Sequence, residues 1–192
     1  MTSADELRRA LERIATALDA LAVRWAVGGS LASAAYGEPR ATNDVDLIAE
    51  LDERAARAFV AALLGFYADA DSAADAARRN GSFNVIDTES FIKLDVFVPR
   101  AGALGRGQLD RVRSLALVPG MREIPVLGPE DIVLQKLAWY RAGGEVSERQ
   151  WRDILSVLRA QGERLDTAYL ERVADAEGLR PLLDRARTNA LA

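Results

Sequence analysis

Val27-Gly28-Gly29-Ser30, separated by thirteen residues from Asp44-Val45-Asp46-Leu47, is the stretch on which the reading of this chain turns. Trp25-Ala26-Val27 is a short apolar run of strand character that breaks at two glycines. Ser30 to Tyr36 has helical composition and stops at Gly37. Glycines between a strand and a helix let the backbone approach a ligand closely. The helix start offers unsatisfied N–H groups and a positive dipole end, which suits phosphate, and the Ser30 hydroxyl adds a donor. An ordinary strand-to-helix turn capped by Ser30 would read the same way. Side chains alternate along a strand, so Asp44 and Asp46 share one face while Val45 and Leu47 take the other. Paired carboxylates repel unless a cation or a proton intervenes. A solvated strand start is the plainer alternative.

A third acid lies further on. Asp95 is the single acid of Ile92-Lys93-Leu94-Asp95-Val96-Phe97-Val98, on the face of Lys93 and Phe97. A charge in so apolar a strand calls for a partner or a metal. Lys93 or an arginine could be that partner. If this strand lies beside Asp44–Glu50, Asp95 completes a cluster of three carboxylates able to hold two divalent ions. The absences narrow the chemistry. The chain has no Cys and no His, which removes thiol nucleophiles, zinc–thiolate sites and the commonest general base. Carboxylates and hydroxyls are hard ligands and point to Mg²⁺ or Mn²⁺.

Outward from these motifs the chain reads as an α/β core over residues 1–127 and a helical segment over 128–192. Helices are expected at 3–22, where Ser3 and Glu6 have capping-box spacing, at 51–64 and at 71–79. Residues 82–87 and 91–98 read as a hairpin, and 115–118 and 123–127 read as two further strands. Pro129-Glu130-Asp131 opens a helix to about residue 142, and Ser147 with Gln150 caps another to about 160. Two more helices are expected at 166–176 and 179–190. Trp139, Tyr140 and Trp151 have spacings that suit helix packing.

Hydrophobic residues make up 49% of the chain, enough for a real core. No apolar run reaches about 18 residues, and Met1–Glu6 lacks the pattern of a signal peptide. The expected location is the cytoplasm, with no membrane association. A net charge of −4 argues against a dedicated nucleic-acid binder. Between Arg100 and Arg122, however, five arginines stand against Asp110 alone, a basic stretch that could meet a polyanion or be solvated surface. Lys93 and Lys136 are the only lysines in an Arg-rich chain.

Glycine turn, spacer, Asp-x-Asp strand and later Asp together resemble the nucleotidyltransferase superfamily of polymerase-beta-like fold. The chain is most similar to its minimal members of the AbiEii toxin type. Arg40-Ala41-Thr42-Asn43-Asp44-Val45-Asp46-Leu47 matches their Arg-x-Thr-x-Asp-h-Asp-h pattern. Pro129-Glu130-Asp131-Ile132-Val133-Leu134-Gln135-Lys136-Leu137 matches their Pro-x-Asp-h-h-x-x-Lys-Leu helix. Asp153, in Trp151-Arg152-Asp153, matches a later Asp, with Arg152 where the family has Lys. The resemblance covers roughly residues 22–158. It implies a small mixed sheet flanked by helices, with an all-helical C-terminal part.

It also implies an activity: a nucleoside monophosphate moves from an NTP to an acceptor hydroxyl. Asp44, Asp46 and Asp95 are the expected catalytic and metal residues, with two Mg²⁺ or Mn²⁺ ions beside the bound NTP. Gly28, Gly29, Ser30 and Lys136 are the expected nucleotide contacts, and Arg40, Thr42 and Asp153 support them. The acceptor could be an RNA end such as tRNA, a protein or a small molecule, and a toxin role would bring an antitoxin partner. Two other readings stay open: a non-catalytic nucleotide-binding or regulatory module on the same fold, and an Asp-x-Asp glycosyltransferase using a nucleotide-sugar.

Overall fold

The strands form where apolar runs meet turn residues, and the helices where polar caps precede amphipathic stretches. The computed structural model describes residues 3–40, 42 and 44–191, so Ala41 and Asn43 of the Arg-x-Thr-x-Asp motif lie outside the described residues. Helix α1 (Ala4–Ala20) opens with the expected capping box, the Ser3 hydroxyl and Glu6 carboxylate each accepting from the other's backbone N–H. It buries Leu11, Ile14 and Leu18 on one stripe. Strand β1 (Trp25–Val27), helix α2 (Gly29–Tyr36) and strand β2 (Asp44–Ala49) follow. Helix α3 (Glu53–Ala62) is capped by Asp52, and α4 (Ala70–Arg79) by Asp69. Asn80 ends α4 in the left-handed conformation that Asn tolerates, at φ +50°.

Strands β4 (Ser82–Asp87) and β5 (Lys93–Phe97) form the hairpin. Two short strands, β6 (Arg113–Leu115) and β7 (Ile124–Val126), complete the sheet together with β3 (Phe66–Tyr67). The order is β3-β4-β5-β2-β1-β7-β6. Pairing is mixed: β2 runs parallel to β5 and β1 parallel to β7, while β1 and β2, β3 and β4, β4 and β5, and β6 and β7 are antiparallel. Helices α5 (Pro129–Ala142), α6 (Glu148–Gln161), α7 (Thr167–Ala176) and α8 (Arg180–Leu191) make up the C-terminal part. Helix α2 packs on β2, α5 and α6, and α7 packs on α5, so the sheet and the C-terminal helices share one continuous hydrophobic core.

Two expectations are corrected here, and a third reading is narrowed. Strand β3 was not foreseen, because two residues between a helix end and a cap give no alternation to read. Pairing near Pro119 involves Arg113–Leu115 rather than Leu115–Val118; Val118 is buried in a connecting segment instead. The basic stretch, open between a polyanion contact and solvated surface, is ion-paired at four of its five arginines, with Arg100 exposed. Arg106 pairs with Glu50, Arg122 with Asp19, Arg113 with Glu130, and Arg111 with Glu130, Asp131 and Asp166. Those acids come from distant parts of the chain, which a local count of charge cannot include. Helix α5 also departs from simple amphipathicity, since it buries Glu130, Asp131, Gln135 and Lys136 among its apolar residues.

Candidate active site

The glycine turn is shaped by the acid opposite it. Gly29 has φ +57°, a conformation that favours glycine. A Cβ on Gly29 would lie 1.7 Å from Oδ2 of Asp46, so the carboxylate fills the space a side chain would need. The Gly28 N–H donates to the backbone oxygen of Asp46 at 2.8 Å, and the Ser30 N–H donates to the Asp46 carboxylate. Turn and acid are therefore one unit, and the helix start already holds a negative charge.

Parallel pairing of β2 with β5 sets Asp46 directly beside Asp95 and Asp44 beside Lys93. Paired residues project to the same face, so the three acids and Lys93 share one side of the sheet. Burial pushes the Asp46 carboxyl above its ordinary pKa; the Ser30 N–H opposes this, and the charges of Asp95 and Asp44 add to it. Lys93 Nζ lies 2.9 Å from Oδ1 and 3.0 Å from Oδ2 of Asp95. That hydrogen-bonded pair raises the Lys93 pKa.

Behind this face runs a second polar network. Arg40 donates through Nε and Nη2 to Asp153, at 2.9 and 2.8 Å, and also to the Ser30 hydroxyl. Lys136 Nζ donates to Asp153 at 2.8 Å and to Gln150 at 3.1 Å. Burial lowers the Lys136 pKa, with Asp153 opposing. Burial would raise that of Asp153, but hydrogen bonds from Arg40 and Lys136 outweigh it and hold it low. Lys136 has 0% of its surface exposed and does not reach the cleft wall. A buried charge in low dielectric demands such partners.

In front lies an open cleft of about 320 Å³. Ser30, Arg40, Thr42, Asp44, Asp46, Asp95 and Asp153 line it, which gathers most of the residues singled out from the sequence. Gly28 and Gly29 shape its floor through Asp46. Trp139, Ser147, Arg149 and Gln150 complete the wall and were not foreseen there. Ser147 does cap α6, accepting from the Gln150 N–H, and Trp151 does pack on Tyr140 at 5.0 Å. Trp139 packs on Phe97 at 5.8 Å yet also faces the cleft. Spacing on a helix identifies a face, but not which neighbour that face meets. A larger groove of about 840 Å³ beside α1 and β3 includes Arg13, Phe66 and Asp87, but no glycine turn and no juxtaposed strand carboxylates.

The donor set fits a divalent cation. Asp44 and Asp46 offer hard oxygens on one face, and neither forms an ion pair with a described residue. Their mutual repulsion, with that of Asp95, is what a cation relieves. Among the described residues no three carboxylates stand gathered as a ready-made metal group. Asp95, expected as the third, is engaged by Lys93.

A family model described as nucleotidyl transferase AbiEii toxin, type IV TA system, matches residues 9–191. The match extends past the resemblance over residues 22–158 and takes in α7 and α8, for which the sequence suggests none. No curated protein matches the chain. Among solved structures, the solution structure of the antibiotic-resistance factor ANT(2'')-Ia aligns with 98% of this chain and 96% of its own, at 18% identity and a TM-score of 0.60. A crystal structure of ANT(2'')-Ia in complex with adenylyl-2''-tobramycin aligns over 92% and 98%, at 15% identity and a TM-score of 0.60. An antigenic nucleotidyltransferase-like protein from Paracoccidioides brasiliensis aligns over 98% and 94%, at 24% identity and a TM-score of 0.56. At these identities the structural likeness establishes the nucleotidyltransferase fold and nothing finer.

Proposed function

The chain belongs to the AbiEii nucleotidyl transferase family, and from that premise we propose that it transfers a nucleoside monophosphate from an NTP to an acceptor hydroxyl in a metal-dependent reaction. The observation that carries the reading is the pairing of Asp46 with Asp95 across parallel strands, beside a glycine turn whose N–H groups point at Asp46. Asp44 and Asp46 would hold the divalent ion, Mg²⁺ or Mn²⁺, with Asp95, here paired with Lys93, as the third carboxylate beside them. The bound metal polarises phosphoryl oxygens and lowers the pKa of a ligated hydroxyl. The acceptor oxygen bonds to the α-phosphorus, the bond to the β-phosphate bridge breaks, and pyrophosphate leaves. Asp95 takes the acceptor's proton, since the chain has no histidine to do so. The Gly28–Ser30 turn positions the phosphates, and Lys136 acts from behind the wall by fixing Asp153 and Gln150.

Retention of all three acids supports catalysis over a purely nucleotide-binding module. The fold gives the nucleotide-sugar reading no support. A related fold in complex with adenylyl-2''-tobramycin supports small-molecule hydroxyls as acceptors, while the family's toxin setting supports RNA or protein acceptors and an antitoxin partner. No described helix is long and apolar enough to cross a membrane. The test is incubation with each labelled NTP, Mg²⁺, and total RNA, total protein or aminoglycoside. Label should pass to one acceptor class with wild type and to none with Asp44→Ala/Asp46→Ala. Equal incorporation by the two proteins would overturn the assignment of the site.

A further inference from the structure

Half of the charged side chains lining the cleft are spoken for by ion pairs, and among the cations there Arg149 is the exception. Asp153 is claimed by Arg40 and Lys136, and Asp95 by Lys93. Lys136, the cation expected from the sequence to meet phosphate, is buried behind the wall. Arg40 and Arg149 are the two cations that line the cleft among the described residues. Arg40 is committed to Asp153 and Ser30. Arg149 is exposed and forms no ion pair or hydrogen bond through its side chain with a described residue.

Its base, by contrast, is fixed. It lies in the first turn of α6, where Ser147 caps the Gln150 N–H at 3.3 Å and the neighbouring Trp151 packs on Tyr140. Gln150 is tied in turn to Lys136. A guanidinium with an anchored base and an unclaimed head, facing a nucleotide cleft, is suited to bidentate phosphate recognition. The charge balance asks for it as well. Asp44 and Asp46 line the same cleft and form no ion pair with a described residue, so a triphosphate entering beside them needs positive charge beyond the metal.

We propose that Arg149 is the residue of this cleft that grips the triphosphate tail of the incoming nucleotide. The proposal rests on the nucleotidyl-transfer reading, and it gives to an α6 arginine the contact that sequence resemblance gave to Lys136. Arg149 contacts the β- and γ-phosphates, the part that departs as pyrophosphate, and so discriminates NTP from NMP.

The test is calorimetric titration of the full chain, in Mn²⁺, with each NTP and its NMP, for wild type, Arg149→Ala and Arg149→Lys. Loss of a charged hydrogen-bond donor should weaken NTP binding roughly ten- to a hundred-fold. NMP binding and Mn²⁺ binding should stay at the wild-type level, and Arg149→Lys should recover part of the loss. If wild type binds NTP and Arg149→Ala binds it equally well, the inference fails while the transfer reading stands. A loss of the same size for NTP and NMP also overturns it, because the arginine would then be reading the sugar, base or α-phosphate. If wild type binds no NTP at all, the transfer reading fails and takes the inference with it.

Discussion

At the scale of single residues, Gly29 and Asp46 occupy one another's space. Replacing Gly29 by Ala strains a φ of +57° and drives a methyl into the carboxylate. Displacing a catalytic group by about 1 Å can cost on the order of a hundred-fold in rate. Gly29→Ala should therefore lose NMP transfer by at least that factor, read as pyrophosphate release, while its circular dichroism stays native. Asp131 makes a different prediction. It is fully buried, Tyr169 donates to one of its oxygens at 2.6 Å, and burial pushes its pKa up to about 7. A carboxyl whose pKa rises on folding contributes stability below its unfolded value near 4, and that contribution is lost as pH climbs through about 7. Across that window wild type should lose stability relative to Asp131→Asn, at most about 1.4 kcal/mol per pH unit. Denaturation at a series of pH values measures the gap; a gap that stays flat, or moves the other way, sinks the claim. The glycine turn and the Asp-x-Asp strand were legible in the sequence because their chemistry depends on neighbours close along the chain. The state of Asp131 was not, because it depends on Tyr169 and Arg111 from other elements.

At the scale of elements, a buried ionic network joins α5 and α6 to the start of α2. Lys136 comes from α5, Asp153 from α6, and Arg40 carries the link to Ser30. The two ends of the pair are not equivalent. Lys136→Met leaves Asp153 with Arg40 as counter-charge. Asp153→Asn strands a fully buried ammonium and also releases Arg40. Removing one partner of a buried pair costs about 3–5 kcal/mol, so Asp153→Asn should approach that range and Lys136→Met should fall below it. Urea midpoints with unchanged m-values would measure both, and the reverse order would contradict this account. The larger elements were readable because caps and periodicity announce them: Ser3, Asp52, Asp69 and Ser147 all cap as their types suggest. Strand β3 and the register near Arg113 were not, since pairing partners rather than local propensity decide strands two or three residues long. The cleft face of α5 and α6, with Trp139 and Arg149, was hidden for a related reason. A helix wheel does not say which of its sides another helix leaves open.

At the scale of the whole molecule, the net charge of −4 and the internal pairing of the Arg106–Arg122 stretch lead to one expectation. Arg111 stacks on Tyr169 at 3.9 Å and faces Glu130, Asp131 and Asp166, so it joins the sheet to α5 and α7. Arg111→Ala should lower the melting temperature by about 2–4 °C for each kcal/mol lost and leave retention on an RNA column unchanged. A fall in RNA retention at unchanged melting temperature would restore the stretch as a polyanion surface. The route from Ser30 to Asp153 has a further meaning when the chain is considered in time. Arg40 is held by a residue 113 positions later. A polypeptide leaving the ribosome presents the glycine turn and all three strand acids long before that residue has been made. A chain ending upstream of residue 153 would carry every strand of the sheet and all three strand acids, yet lack the carboxylate that holds Arg40 against Ser30.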